Sequence, residues 1–155
     1  MEQSKLAWDL LSRSFGTYRG RGVNHEGQNF TGDFVLACAL PEKVASVSST
    51  ATGDRGEVYH DERSWVGFDI AGQLVLYVAS NNHPGITPHL FHGVEEKSGQ
   101  KDIVFRFGDP KDQNSFREEI TFSFFADGGV AHQYAWGLPG GSFEPRSGSK
   151  MSRLR

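Results

Sequence analysis

Between residues 116 and 125 the chain alternates: Ile120, Phe122 and Phe124 fall on one side, Thr121 and Ser123 on the other. That two-residue period belongs to a half-buried β-strand. It returns at 130–137, where Val130, His132, Tyr134 and Trp136 share a face opposite Ala131, Gln133 and Ala135. At 30–40 one face carries Phe30, Gly32, Phe34, Leu36, Cys38 and Leu40. Followed along the chain, the pattern predicts strands at 17–23, 30–40, 43–51, 57–69, 74–80, 87–94, 102–106, 116–125, 130–137 and 143–153. The breaks between them carry turn chemistry, such as "TGDRG", "NNHPG" and "LPGG"; Asp127-Gly128 is the sharpest hairpin signal. The segment 74–80 is apolar on both faces, Leu74, Leu76 and Val78 against Val75, Tyr77 and Ala79. It therefore predicts an outer cover, from an N-terminal helix or from a second copy of the chain in a homodimer.

One segment has a helical period. At 4–14, Leu6, Leu10 and Leu11 form an apolar stripe with Ala7 and Trp8, Ser4 is placed to cap the start and Gly16 to stop the end. Ten strands in series with no crossover helix predict an antiparallel meander, and closure removes its exposed edges. The expectation is an all-β fold: a closed antiparallel up-and-down β-barrel of about 8–10 strands with a short N-terminal helix. One domain spans 1–155, with the helix at about 4–14 and the barrel at about 17–154.

Charge removes several functions. The net charge is -3, and no basic stripe or charge block marks a nucleic-acid or tail-mediated partner. A single cysteine rules out an internal disulfide, and its neighbours Leu36, Ala37, Ala39 and Leu40 make Cys38 read as a small buried hydrophobe. The first fifteen residues lack the apolar core of a secretion signal, and no run is long enough for a membrane helix. A cytoplasmic protein without membrane partners is expected.

The 12 Phe residues and the face of His132, Tyr134 and Trp136 raise the question of a cavity. A solid core favours aliphatic side chains, whereas ligand cavities use aromatic walls with a few polar groups. The expected wall is Phe34, Trp65, Phe122, Phe124, Tyr134 and Trp136, with His132 and Tyr134 as polar contacts to a small hydrophobic or aromatic molecule. The same His132 and Tyr134 equally suit a hydrogen-bond network in a filled core. In "EVYHDERSW", His60 and Glu62 share one face and Tyr59, Asp61 and Arg63 the other. A solvated strand with cross-strand ion pairs is the favoured reading; acid–base chemistry inside the barrel is the rival. His83, His89 and His92 are dense in sequence, but His89 and His92 point to opposite faces of a strand, and Pro84 and Pro88 argue against a helix. They read as surface histidines, with no metal and no cofactor expected.

The stretch Gly16-Thr17-Tyr18, followed by Gly20 and Gly22, resembles the calycin superfamily, which includes the lipocalins, fatty-acid-binding proteins and nitrobindin-like barrels. Lipocalins carry Gly-x-Trp at this place. The resemblance implies a barrel around a small ligand, with Tyr18 facing in near the floor and a basic residue of the last strand, Arg153 or Arg155, over it. The strand count is nearer the fatty-acid-binding and nitrobindin-like members. The latter bind haem through a histidine close to the C-terminus; here the last histidine is His132, which disfavours haem, and Met151 on the final strand reads as packing. Some calycin barrels are enzymes. Three functions stand open: binding of a small, partly apolar ligand; an isomerase, cyclase or decarboxylase with His132 or His60 as acid–base group and Tyr134 as donor; and a filled interaction module.

Overall fold

The computed structural model describes residues 2–155. Helix α1 (Glu2–Arg13) precedes ten strands: β1 (Gly16–Val23), β2 (Asn29–Leu40), β3 (Val44–Gly53), β4 (Val58–Phe68), β5 (Leu74–Ser80), β6 (Thr87–Lys97), β7 (Gln100–Phe107), β8 (Arg117–Phe125), β9 (Val130–Gly137) and β10 (Glu144–Arg153). Each strand pairs antiparallel with the next, and β1 pairs with β10 to close the barrel. The all-β closed barrel with one short helix is therefore the fold.

Closure depends on glycine. A Cβ on Gly20 would stand 2.2 Å from the Lys150 carbonyl oxygen, and one on Gly22 would stand 2.3 Å from the Phe30 ring and 2.8 Å from the Gly148 carbonyl. No larger residue lets β10 approach so closely. Gly16 makes room for a side chain instead, because its Cβ would fall 2.6 Å from the Arg153 guanidinium. That guanidinium lies 5.6 Å from the centroid of the Tyr18 ring and donates to the Phe15 carbonyl. The buried Tyr18 hydroxyl donates to the Ser14 carbonyl at 2.7 Å. Tyr18 and Arg153 thus tie the first and last strands to the end of α1.

Helix α1 starts at Glu2, so Ser4 lies inside its first turn and does not cap it, and Gly16 opens β1 instead of stopping the helix. Ala7 and Leu11 are fully buried, and Trp8 packs on Phe68 with centroids 5.8 Å apart. The helix plugs the end of the barrel where β1 begins. It does not cover the outside of β5: Trp65, Tyr77 and Leu90 remain exposed side by side on β4, β5 and β6. Cys38 is also exposed, against expectation. The pairing of β2 with β3 shifts between Cys38 and Leu40, which breaks the in–out alternation at the strand's end.

The interior is divided along the barrel axis. Beside the helix it is filled with apolar side chains, among them Leu36, Val47, Val66, Leu76, Phe105 and Phe122. Toward the opposite end the inward positions become polar: Ser49 on β3, His60 and Glu62 on β4, Glu118 on β8, His132 and Tyr134 on β9, and Ser149 on β10. None of the helices is long and apolar enough to cross a membrane, among the described residues.

Candidate functional site

The polar end of the barrel encloses a cavity of about 430 Å³, reached between the loops that join β1 to β2, β5 to β6 and β9 to β10. Phe30, Phe116, Tyr134 and Trp136 provide aromatic wall, and Gly32, Ser49, Ser149 and Met151 line it as well. Trp136 is held in place by the Arg146 guanidinium, 4.2 Å from its ring centroid, and by the edge of His25 at 5.7 Å.

Two buried carboxylates organise the site. The first, Glu62, has no exposed surface. Its Oε2 accepts from the Tyr134 hydroxyl at 2.6 Å and lies 3.1 Å from His60 Nε2; its Oε1 accepts from the Ser64 hydroxyl at 2.6 Å. His60 Nε2 also sits 2.8 Å from the Tyr134 oxygen, and Asn82 Nδ2 lies 3.1 Å from His60 Nδ1. An amide nitrogen donates, so Nδ1 accepts, and Nε2–H is the donor toward Tyr134 and Glu62.

His132 completes this group. Its Nδ1 is 3.0 Å from Ser49 Oγ and 3.3 Å from the Tyr134 hydroxyl. Its Nε2 is buried with no hydrogen-bond partner, 4.0 Å from Glu62 Oε2. A lone pair aimed at a carboxylate is repelled, so the favoured tautomer has Nε2–H facing Glu62 and Nδ1 accepting from Ser49. Burial alone would push the Glu62 carboxyl up; attraction to a charged His132 and hydrogen bonds from His60 and Ser64 bring it down to about 2. Burial drives His132 down to about 4. The ring is therefore neutral at pH 7, and there the hydrogen-bond donors hold the Glu62 charge. Burial and the nearby Glu62 charge push the Tyr134 phenol well above 10, so it remains a donor.

The second carboxylate is Glu118. His89 Nε2 lies 2.8 Å from its Oε1, and His83 Nε2 lies 3.3 Å from its Oε2. The two rings are nearly parallel, 11° apart. Thr87 orients both: its carbonyl is 3.2 Å from His89 Nδ1 and its hydroxyl 3.3 Å from His83 Nδ1. A backbone carbonyl and a carboxylate thus flank the two nitrogens of the His89 ring, and both are acceptors. Burial opposes ionisation of Glu118, and hydrogen bonds from His83 and His89 outweigh it, which holds this carboxyl below its ordinary range. The Glu118 hydrogen bond raises His83. Neighbouring loop residues thus tie the two centres together, Asn82 to His60 and His83 to Glu118.

The structure brings only part of the expected wall together. His132, Tyr134 and Trp136 line the cavity. Phe34 and Phe122 lie beneath it against the His132 ring, with centroids at 5.3 and 4.9 Å, and Phe124 belongs to the filled core. Trp65 is a correction: it is 43% exposed and points outward, because its neighbours Ser64 and Val66 take the inward positions of β4. The solvated reading of "HDER" holds for Asp61 and Arg63, which pair at 2.5 Å on the outside, and fails for His60 and Glu62. The surface reading of the histidines holds for His92, which is 2.7 Å from the Arg106 guanidinium, and fails for His83 and His89. Glu118 was missed, although it shares the parity of Ile120, Phe122 and Phe124.

Haem does not fit the histidines inside the barrel. Both nitrogens of His60 and of His83 are engaged, and His132 Nε2 is sealed from the cavity. At the place of an inward residue on the last strand stands Met151. No family model and no curated protein matches this sequence. Solved structures do match the fold. The crystal structure of Rv2717c from M. tuberculosis is similar, with a TM-score of 0.74 over 96% of this chain and 98% of that one, at 13% identity. Across so wide a sequence distance the likeness shows the barrel and its helix, and nothing of the chemistry.

Proposed function

We propose that this protein binds a small, partly apolar ligand at the polar end of a calycin-like barrel. One observation carries the reading: about 430 Å³ of space stays open above a core that is otherwise filled, within the range of small-molecule sites. Trp136, Tyr134, Phe30 and Phe116 offer apolar surface, and the Ser49, Ser149 and Glu118 oxygens fix the orientation of a polar head. The Gly16-Thr17-Tyr18 start of β1, with Arg153 over Tyr18, supports the calycin kinship. The test is native mass spectrometry of protein purified from its own host. A bound mass that is lost on denaturation, and is depleted in Trp136→Ala of unchanged fold, is expected. A bare wild-type protein that also takes up no small aromatic molecule in titrations overturns the reading.

A second reading, acid–base catalysis on the same ligand, draws on the chain Tyr134–His60–Glu62. Tyr134 and His60 both line the cavity, whereas the sealed Nε2 of His132 is poorly placed to exchange protons with a substrate. If turnover is detected, Tyr134→Phe lowers kcat with the cavity still occupied; unchanged turnover removes this chain from the mechanism.

A further inference from the structure

We infer that the ligand of this cavity is a small organic cation, a protonated amine on an aromatic body, and not a carboxylate. The inference rests on the ligand-binding reading above and concerns the chemistry of the ligand's head. Among the described residues no lysine or arginine lines the cavity, and a buried carboxylate ligand needs a paired cation. The nearest guanidiniums are committed elsewhere. Arg117 donates to the carbonyls of Leu138 and Gly141 and clamps the loop between β9 and β10. Arg146 stacks on Trp136 and donates to its carbonyl at 3.2 Å.

The wall instead supplies acceptors and π faces. Glu118 reaches the cavity, and Glu62 lies just behind Tyr134 and His60. The nearer imidazoles, His83 and His89, are both spent on Glu118, and the Glu62 carboxylate has hydrogen-bond partners in Tyr134, Ser64 and His60 but no lysine or arginine beside it. Glu118 Oε2 has one contact, His83 at 3.3 Å, which leaves it capacity for a further N–H. Tyr134, Phe30 and Phe116 line the space with aromatic rings, whose faces attract a cation, and Trp136 already carries one on its ring in Arg146. An ammonium head would find both partners within one cavity, whereas a carboxylate would meet Glu62 and Glu118 with no fixed cation to balance it.

The test compares three probes of one body and different heads on the wild-type protein, by calorimetric titration at pH 7.5: 2-naphthylmethylamine, 2-naphthalenemethanol and 2-naphthoic acid. The amine should bind about tenfold tighter than the acid or better, with the alcohol between them. Glu118→Gln should narrow the gap between amine and acid; the wild-type series decides the matter even if that variant does not fold. Equal or tighter binding of the acid overturns the inference and leaves the ligand-binding reading standing. Failure of all three probes to bind overturns both.

Discussion

Acid should weaken this protein well above the pH at which carboxylates titrate, and His132 should be the cause. In the unfolded chain the ring takes a proton near the ordinary 6.5; in the barrel, burial holds it to about 4. The unfolded state therefore binds more protons between those values, and stability falls as the pH drops through them. The whole gap is worth about 3 kcal/mol, and about 2 kcal/mol of it is lost by pH 5. For a chain of 155 residues that corresponds to a fall in Tm of about 4–8 °C. Urea unfolding at several values between pH 7.5 and 5 measures it, in wild type and in His132→Phe, which keeps an aromatic ring between Phe34 and Phe122. The variant loses the Ser49 hydrogen bond, a constant offset, so the pH slope is the informative quantity. His83, raised by Glu118, works the other way: its contribution is full below 6.5 and is lost as the pH rises. It is present in both proteins and cancels from their difference. Between pH 7.5 and 5 the variant should lose about 2 kcal/mol less than wild type. Parallel pH profiles would refute the neutral, buried state of His132.

Below pH 4.5 a second loss should appear as Glu62, held at about 2 in the barrel, takes up its proton; again the depressed group stabilises above its unfolded value and fails below it, and circular dichroism in an acid titration reads the transition. Tyr134→Phe removes one of the two shortest donors to Glu62 and should cost about 1–3 kcal/mol in urea unfolding, with less than 0.5 kcal/mol roughly counting against the network. Gly20→Ala forces a methyl against the Lys150 carbonyl and should destabilise by about 2 kcal/mol or more, whereas Gly27→Ala sits in open space and owes any cost to its positive φ of 77° alone. Arg117→Ala leaves two loop carbonyls without their donor and should cost about 3 kcal/mol, with faster proteolysis between β9 and β10 as the local signature.

Where the apolar pattern was bounded by clear turns, the sequence was readable to the residue: the alternating β9 and the doubly apolar β5 run as 130–137 and 74–80 foretell. The aromatic face of β9 was readable for the same reason. The rest of the site hid behind composition. Charged residues in alternation look solvated, yet Val66 sets the inward parity of β4, and two steps back from it come Ser64, Glu62 and His60. Glu118 follows in the same way from Phe122. Parity also places Trp65 outside, against the pull of its hydrophobicity. What no local pattern holds is partnership. Tyr134 and Glu62 are 72 residues apart in sequence, and only closure of the barrel decides that each buried carboxylate meets its imidazoles.

The seam between β1 and β10 gives the order of synthesis a role. The first strand leaves the ribosome early and must wait for the last one before its edge is paired. Until then the Gly20 and Gly22 segment is an open edge, kept from other chains by the outward charges of Arg19 and Arg21. Ser149 and Met151 of β10 form part of the cavity wall, so a chain whose β10 has not yet docked holds no finished pocket. The cavity is therefore complete only once β10 has closed onto both β1 and β9.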